Sequence, residues 1–167
     1  MSSSTLPKSA KSIGAPASSN QPPFEMKGIK RPIGHWRMCV KTALGQIQKL
    51  GEIGDYRDYV SGVHDGMVCC GEVTEKYNPM RIADVVKHYG IANLVISPEL
   101  TARIFTQPDW VSPTMANIFF WQNQAGEVFV MVLGRCSSGW VLRRYRIDEA
   151  PNFMTDCRTF IPAHIKA

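Results

Sequence analysis

Four consecutive segments rich in β-branched and aromatic residues dominate the second half of the sequence. They are ANIFFWQ (116–122), EVFVMVLG (127–134), GWVLRRYRI (139–147) and RTFIPAHI (158–165). Turn-forming residues separate the first three segments, at 123–126 and at 137–139. Such segments favour β-strands, and strands joined by short turns pair antiparallel. The sequence therefore predicts an antiparallel sheet after Pro113.

The first half of the sequence carries the periodicity of helices instead. Between Trp36 and Leu50, apolar residues recur at the spacing that places them on one helix face, and Gly51 follows. The stripe consists of Val40, Ala43, Leu44, Ile47 and Leu50. We predict a central helix over residues 36–50 that packs this stripe against the sheet.

Two further helices have recognisable first residues. Asn78 and Pro79 suit the N-cap and the first helical position of a helix that ends before Gly90. The apolar residues of this helix are Ile82, Val85, Val86 and Tyr89. Ser97 begins a third helix by the same rule, with Leu100 and Ile104 facing inward.

Helices that precede strands along the chain predict an α+β domain with segregated layers. Residues 24–167 are enough for a single domain with its own core. Residues 1–23 are rich in Ser, Ala and Pro and contain no acidic residue, so we predict a disordered tail. The tail could be a plain linker or the export leader of an injected bacterial protein, and its composition favours neither.

Composition excludes several classes of protein. No apolar run approaches the ~20 residues that span a bilayer, and the first 20 residues lack the apolar segment of a secretory signal. We therefore expect no membrane partner, and either a cytoplasmic location or export by a route other than the secretory pathway. The net charge of +5 is spread along the chain, which argues against a nucleic-acid partner. The one dense basic cluster, at 143–146, is interpreted as a solvated strand face.

The five cysteines suit neither a disulfide scaffold nor a metal site. Their number is odd and no CxxC pair occurs, so we expect reduced thiols and no structural zinc. His64, Cys69 and Cys70 could supply three ligands, but adjacent cysteines on a strand or helix point in different directions. We predict neither a bound metal nor another cofactor.

Cys39 has the position of a catalytic thiol. It falls in the first turn of the predicted central helix, where the helix dipole stabilises a thiolate. The alternative is that Cys39 is a small buried hydrophobe, since cysteine is among the most buried residue types.

The order of these segments resembles that of the papain-like cysteine peptidases. It is closest to the compact bacterial branch that includes bacteriocin-processing peptidases and papain-like effector proteases of plant pathogens. The resemblance spans roughly residues 30–151 and rests on HWRMCVKTAL (35–44), MVCCGEVTEKYNPMRIADVVKHYGI (67–91), GEVFVMVLG (126–134) and VLRRYRIDEAP (141–151). It implies a papain-like fold, in which a central helix with a nucleophilic cysteine packs on a C-terminal antiparallel sheet or half-barrel. It also implies a catalytic histidine on a strand and an orienting acid near the end of a later strand.

The sequence departs from the family pattern at the positions of the catalytic residues. Aligning Trp36 with the family's tryptophan places His35 at the nucleophile position, whereas aligning Cys39 with the nucleophile loses the tryptophan. In either alignment Val128 occupies the position of the catalytic histidine, and only Asp148 fits, in the region of the orienting acid. A valine can neither activate a thiol nor protonate a leaving group.

Two functions follow from these residues. One is a papain-like pseudoenzyme that has lost its peptidase chemistry and binds a protein or peptide, in the manner of a secreted bacterial effector, virulence factor or toxin-related protein. Its candidate binding residues are Trp36, Trp110 and Val128. We favour this function because the strand position of the base is aliphatic.

The alternative is an active thiol hydrolase, a peptidase or deamidase, with Cys39 as its nucleophile. His35 lies four residues before Cys39, where side chains on one helix are neighbours, and His64 lies in a polar loop that could fold over the helix start. Either imidazole could then serve as the base, although a base on the same helix is not the family geometry.

Overall fold

Seven strands form one mixed sheet in the part of the chain that the computed structural model describes, which is residues 23–30, 45, 47–50, 53–60, 68–73, 80–106, 110–153 and 157–162. The strands are β1 (Glu25–Lys30), β2 (Ile47–Leu50), β3 (Val68–Glu72), β4 (Ala116–Gln122), β5 (Val128–Cys136), β6 (Gly139–Arg146) and β7 (Cys157–Pro162). Their order across the sheet is β1-β3-β7-β4-β5-β6-β2. The helices whose bounds the described ranges give are α1 (Ile82–Tyr89) and α2 (Pro98–Thr106), and the architecture is α+β.

The predicted antiparallel meander is confirmed for β4, β5 and β6, which pair in chain order. The sheet as a whole is mixed, however, because β7 pairs parallel with β4 and β2 pairs parallel with β6. Three of its strands, β1 to β3, come before α1 and α2 in the chain. The expectation of a sheet built only after Pro113 is therefore wrong.

Helix α2 forms as the sequence predicts. The Ser97 side chain accepts a hydrogen bond from the Leu100 backbone N–H at 3.0 Å, which caps the first turn. Leu100 and Ile104 are buried beneath the helix. The Thr101 hydroxyl accepts a hydrogen bond from the indole Nε1 of Trp121 at 2.9 Å, so this helix is also tied to β4.

The sheet is buried on both faces, because alternate residues of its central strands enter two separate apolar clusters. Phe119 and Trp121 of β4 belong to the first cluster together with Leu100 and Ile104 of α2. Ile118 and Phe120 of the same strand belong to the second cluster, with Ile82 and Val85 of α1. The two helices therefore lie on opposite faces of the sheet.

The predicted central helix over residues 36–50 is wrong at its C-terminal end. Residues 47–50 are strand β2, in which Ile47 lies opposite Trp140 and Leu50 opposite Arg143 of β6. Ile47 is buried in the first cluster, whereas Gln48 and Lys49 are exposed. Pairing with β6 gives hydrogen-bond partners to the backbone of this segment. Residues 36–44 and 46 lie outside the described residues.

The start of α1 also differs from the prediction. The helix begins at Ile82 with Arg81 as N-cap, and no side chain caps it. Met80 is instead extended, because it exchanges two backbone hydrogen bonds with Phe153, of 2.6 and 2.8 Å. The predicted N-cap at Asn78 is therefore wrong, and Asn78 and Pro79 lie outside the described residues. The predicted end before Gly90 is confirmed, and Gly90 has a φ of 84°.

Candidate functional site

The catalytic residues named from the sequence are only partly within the described residues. His35, Cys39 and His64 lie outside them, as does Trp36. Val128, Asp148 and Trp110 are described. Val128 and Asp148 lie at the same end of the β5–β6 pair, because Phe129 is opposite Arg146, whereas Trp110 packs on the other face of the sheet.

Val128 is the first residue of β5 and pairs with Gln122 of β4. Its side chain is half-buried against the second cluster, on the sheet face that α1 covers. The environment is apolar, and the side chain has no group that can accept or donate a proton.

Asp148 lies in a single turn of 3₁₀-helix, Ile147–Glu149, directly after β6. Its side chain is 80% exposed, and it forms an ion pair with Arg146 at 3.7 Å. An exposed pair of this kind contributes little to stability and leaves the carboxylate hydrated. Among the described residues, no histidine forms an ion pair with Asp148.

Trp110 packs half-buried against the first cluster, so it lies on the sheet face opposite Val128. Its backbone carbonyl accepts a hydrogen bond from Arg158 at 2.8 Å, and Arg158 also forms an ion pair with Glu72 at 2.9 Å. Packing therefore holds the indole against the core, and the hydrogen bond from Arg158 holds the backbone at this residue. The two described binding candidates, Trp110 and Val128, do not form one surface.

A pocket of about 340 Å³ opens at the end of the meander that carries the turn between β4 and β5. Its walls are the segment that follows β2, the turn between β4 and β5, and β6. The lining residues are Ile53, Gly54, Asp58, Tyr59, Asn123, Gln124, Ala125 and Arg144. We call this feature the Tyr59–Arg144 pocket.

Backbone hydrogen bonds fix the two walls of this pocket to each other. The Val60 N–H donates to the Gln122 carbonyl at 2.7 Å, and the Gln124 N–H donates to the Asp58 carbonyl at 3.1 Å. The Gln124 side chain adds a longer bond, 3.4 Å, to the Tyr59 carbonyl. The opening is therefore framed by paired backbone and does not depend on side-chain packing alone.

Tyr59 forms the floor of the pocket. The residue is 3% exposed, and its ring meets Trp121 edge to face at 5.0 Å between centroids. The hydroxyl donates to the Ile53 carbonyl at 2.6 Å and accepts from the Arg144 guanidinium at 3.1 Å. Both partners hold the hydroxyl in one orientation.

Arg144 supplies the positive charge of the pocket. Its guanidinium carbon lies 4.3 Å from the centroid of the Phe129 ring, within the range of a cation–π interaction. No carboxylate in the described ranges forms an ion pair with it. A guanidinium has five N–H donors, and one of them is used by Tyr59.

The acidic wall of the pocket is a short capping box. Asp55 caps the 3₁₀ turn Tyr56–Asp58, and the Asp58 carboxylate accepts a hydrogen bond from the Asp55 N–H at 3.0 Å. The side-chain hydrogen bond from Arg57 to Asp55 lowers the pKa of that carboxyl to about 2. The Asp55 N–H therefore fixes the position of the Asp58 carboxylate, and Arg57 forms its ion pair with Asp55.

Sequence reasoning missed Arg144, because it treated residues 143–146 as one solvated face. Arg143 and Arg146 are exposed, but Arg144 is half-buried. The alternation of side chains along a strand could have revealed this difference. Arg144 lies two residues after Leu142, which is buried in the first cluster, so both side chains are on the covered face of the sheet.

The described thiols differ in environment. Cys69 belongs to the second cluster and Cys70 to the first, which confirms that the two point in different directions. Burial raises the pKa of the Cys69 thiol, whereas a hydrogen bond from Ser138 lowers the pKa of the exposed Cys136. Within the described part of the chain, no group of three His, Cys, Asp or Glu side chains could hold a metal ion.

Comparison with known proteins gives no relative for this chain. No family model, no curated protein and no solved structure matches it. Among the helices that the structure describes, none is both long and apolar enough to cross a membrane.

Proposed function

We propose that this protein is a peptide- or protein-binding module on a papain-like scaffold that has lost its peptidase chemistry. The observation that carries the proposal is Val128. The strand position at which the family resemblance expects a catalytic histidine holds an aliphatic side chain, and that side chain packs into an apolar cluster.

The physical consequence concerns proton transfer. A thiol of this class attacks only when a base within hydrogen-bond reach removes its proton, and the same group then protonates the leaving amine. Valine does neither, and the exposed Asp148 forms no ion pair with a described histidine. A papain-like scaffold that lacks the catalytic base and its orienting acid still has a surface that can bind a ligand, and binding needs no proton transfer.

The Tyr59–Arg144 pocket supports a binding role. It offers a fixed cation, a fixed carboxylate and two side-chain amides around one opening. Binding sites typically combine a concave surface with a few well-placed polar groups of this kind. Trp110, which is held to the core on the same sheet face, is not required for it.

The proposal is tested by selecting peptides from a random display library against the full-length protein. The wild type and Cys39→Ser should enrich the same peptides with similar affinity, and mass spectrometry should find these peptides unchanged after incubation. Cys136→Ser is the matched control, because it removes an exposed thiol that lies between two of the family segments and belongs to neither.

Two results would overturn the proposal. Failure to enrich any peptide would remove the binding function. Cleavage or deamidation of peptides by the wild type, but not by Cys39→Ser, would establish the alternative, a thiol hydrolase with Cys39 as nucleophile.

A further inference from the structure

We infer that the Tyr59–Arg144 pocket binds a carboxylate group of a peptide ligand and that Arg144 is the residue that contacts it. The inference rests on the proposed binding function and names the chemical group that the binding site recognises.

The first argument is that Arg144 is held in place before any ligand arrives. Its guanidinium lies over the Phe129 ring and donates to a tyrosine hydroxyl that is itself tied to the Ile53 carbonyl. An arginine fixed in this way loses little side-chain entropy when it binds a ligand. Its remaining N–H donors have no acceptor among the described residues, so they are available to an oxygen ligand.

The second argument is the charge of the group that fits. A half-buried cation without an ion pair favours an anion, and a planar guanidinium matches a planar carboxylate through two parallel hydrogen bonds. Asp58 lines the same pocket, and its carboxylate is fixed by the Asp55 N–H. The attraction of Arg144 and the repulsion of Asp58 both scale with the charge of the ligand. The cost of desolvating an ion grows with the square of its charge, so a pocket with this one cation and a neighbouring carboxylate favours a monoanionic carboxylate over a phosphate dianion.

The third argument is that the rest of the pocket suits a peptide. Gln124 and Asn123 bring side-chain amides to the rim, and Gly54 leaves backbone accessible. Asn123 donates one amide N–H to Glu127, and Gln124 donates one to the Tyr59 carbonyl. Each amide nitrogen has a second N–H that can bind a carbonyl of a peptide main chain. The volume of about 340 Å³ lies at the small end of ligand sites, which suits one acidic residue and its backbone better than a large cofactor.

The carboxylate can come from a Glu or Asp side chain or from the C-terminus of a chain. Two small probes separate these sources. N-acetyl-glutamate N-methylamide carries only the side-chain carboxylate, and N-acetyl-alanine carries only the terminal one. N-acetyl-glutamine N-methylamide is the neutral control, and inorganic phosphate at equal ionic strength is the control for general anion binding.

The experiment is a nuclear magnetic resonance titration of the full-length protein that follows the Arg144 Nε–H signal, which is assigned by its absence in Arg144→Gln. At least one carboxylate probe should shift this signal and the backbone signals of Gly54 and Gln124. The glutamine probe should leave them unchanged. Phosphate should act only at higher concentration than the carboxylate.

Variants provide the second readout. Arg144→Gln should weaken binding of the active carboxylate probe about tenfold or more, which is the effect of losing a charge-assisted hydrogen-bonded pair. Arg144→Lys keeps the charge but not the planar fork, so it should recover only part of the affinity. Arg143→Gln is the matched control, because it makes the same charge change on the neighbouring residue, whose side chain is on the other sheet face.

Several results would overturn the inference. They are no shift with either carboxylate probe, an equal shift with the neutral glutamine probe, stronger binding of phosphate, or equal loss of affinity in Arg143→Gln. A result against the carboxylate site can be told apart from a result against the proposed binding function. Library peptides that bind the wild type and Arg144→Gln equally well would leave the binding module standing and remove only the carboxylate site.

Discussion

Two buried tyrosines use their hydroxyl groups in different ways. The Tyr59 hydroxyl has two partners, the Ile53 carbonyl and the Arg144 guanidinium. The Tyr89 hydroxyl is buried in the second cluster without a hydrogen-bond partner among the described residues, and its ring stacks on Phe24 at 5.8 Å. The hydroxyl of Tyr59 therefore stabilises the pocket through hydrogen bonds, whereas Tyr89 contributes mainly through the packing of its ring.

Replacing each tyrosine by phenylalanine should separate these roles. Tyr59→Phe should lower the free energy of unfolding by about 1–3 kcal/mol, because it leaves a buried carbonyl and a cation unsatisfied. Tyr89→Phe should leave the free energy of unfolding unchanged or slightly higher, since no bond is lost. Urea denaturation of both variants measures the difference, and equal losses would contradict the assignment of partners.

Tyr89 also predicts a response to alkaline pH. Burial, with a smaller contribution from the neighbouring Cys69, raises its pKa from 10.0 to about 12. The folded state therefore holds this proton more tightly than the unfolded state, so the stabilisation is complete below pH 10 and is lost as the pH rises towards 12. Absorbance titration should show one tyrosine that ionises last in the wild type and is missing in Tyr89→Phe. A titration in which all tyrosines ionise together near pH 10 would contradict this burial.

At the scale of elements, β3 depends on a glycine. A side chain on Gly71 would overlap the Phe24 ring, which is fully buried against this strand. Gly134 of β5 provides a contrast, because nothing lies within 4 Å of the position that its Cβ would take. The close approach, and not the strand conformation, requires glycine at position 71.

Gly71→Ala should therefore destabilise the protein by about 1–3 kcal/mol through overpacking. Gly134→Ala should be neutral or stabilise it by up to about 1 kcal/mol, since alanine restricts the unfolded chain. Thermal melting of the two variants compares them directly. If Gly71→Ala were as stable as the wild type, Phe24 would not pack on β3 as described.

The elements that the sequence predicted correctly are those with local signals. Helix α2 has its own cap in Ser97, and β4 to β6 are joined by short turns. Strand β2 has no such signal, because its partner β6 lies about ninety residues later and the spacing of Ile47 and Leu50 also fits a helix. Likewise, α1 starts late because Met80 pairs with the distant Phe153.

The same limit applies to the candidate site. The motifs that suggested chemistry are contiguous, and they drew attention to Cys39, Val128 and Asp148. The Tyr59–Arg144 pocket joins a segment near residue 55 to a turn near residue 124, and Arg144 reaches it from β6. No contiguous motif contains these residues. The two-residue spacing of Leu142 and Arg144 on one strand is the only feature of the sequence that indicates an arginine on the covered face.

At the scale of the whole molecule, the mixed sheet covered on both faces explains how a chain of 167 residues holds its core. The second cluster extends to Phe24, which is fully buried. The residues before Pro23 lie outside the described residues, and their composition predicts that they add nothing to this core.

Deleting residues 2–22 should therefore change the melting temperature by less than about 2 °C, which corresponds to about 0.5–1 kcal/mol for a domain of this size. Phe24→Ala is the contrasting variant and should cost about 3–5 kcal/mol, because it empties a fully buried site. A large loss of stability on deletion would show that the tail is part of the fold.

The central claim is that Cys39 is not a working nucleophile. The most direct test is the rate at which iodoacetamide alkylates each of the five cysteines, followed by mass spectrometry between about pH 6 and pH 9, where ordinary thiols ionise. Cys136 is the internal reference, because it is exposed and its pKa is lowered by Ser138. We predict that Cys39 reacts no faster than Cys136 and shows no ionisation well below that of a free thiol. Alkylation of Cys39 much faster than that of the other four cysteines, with such a low ionisation, would contradict the claim.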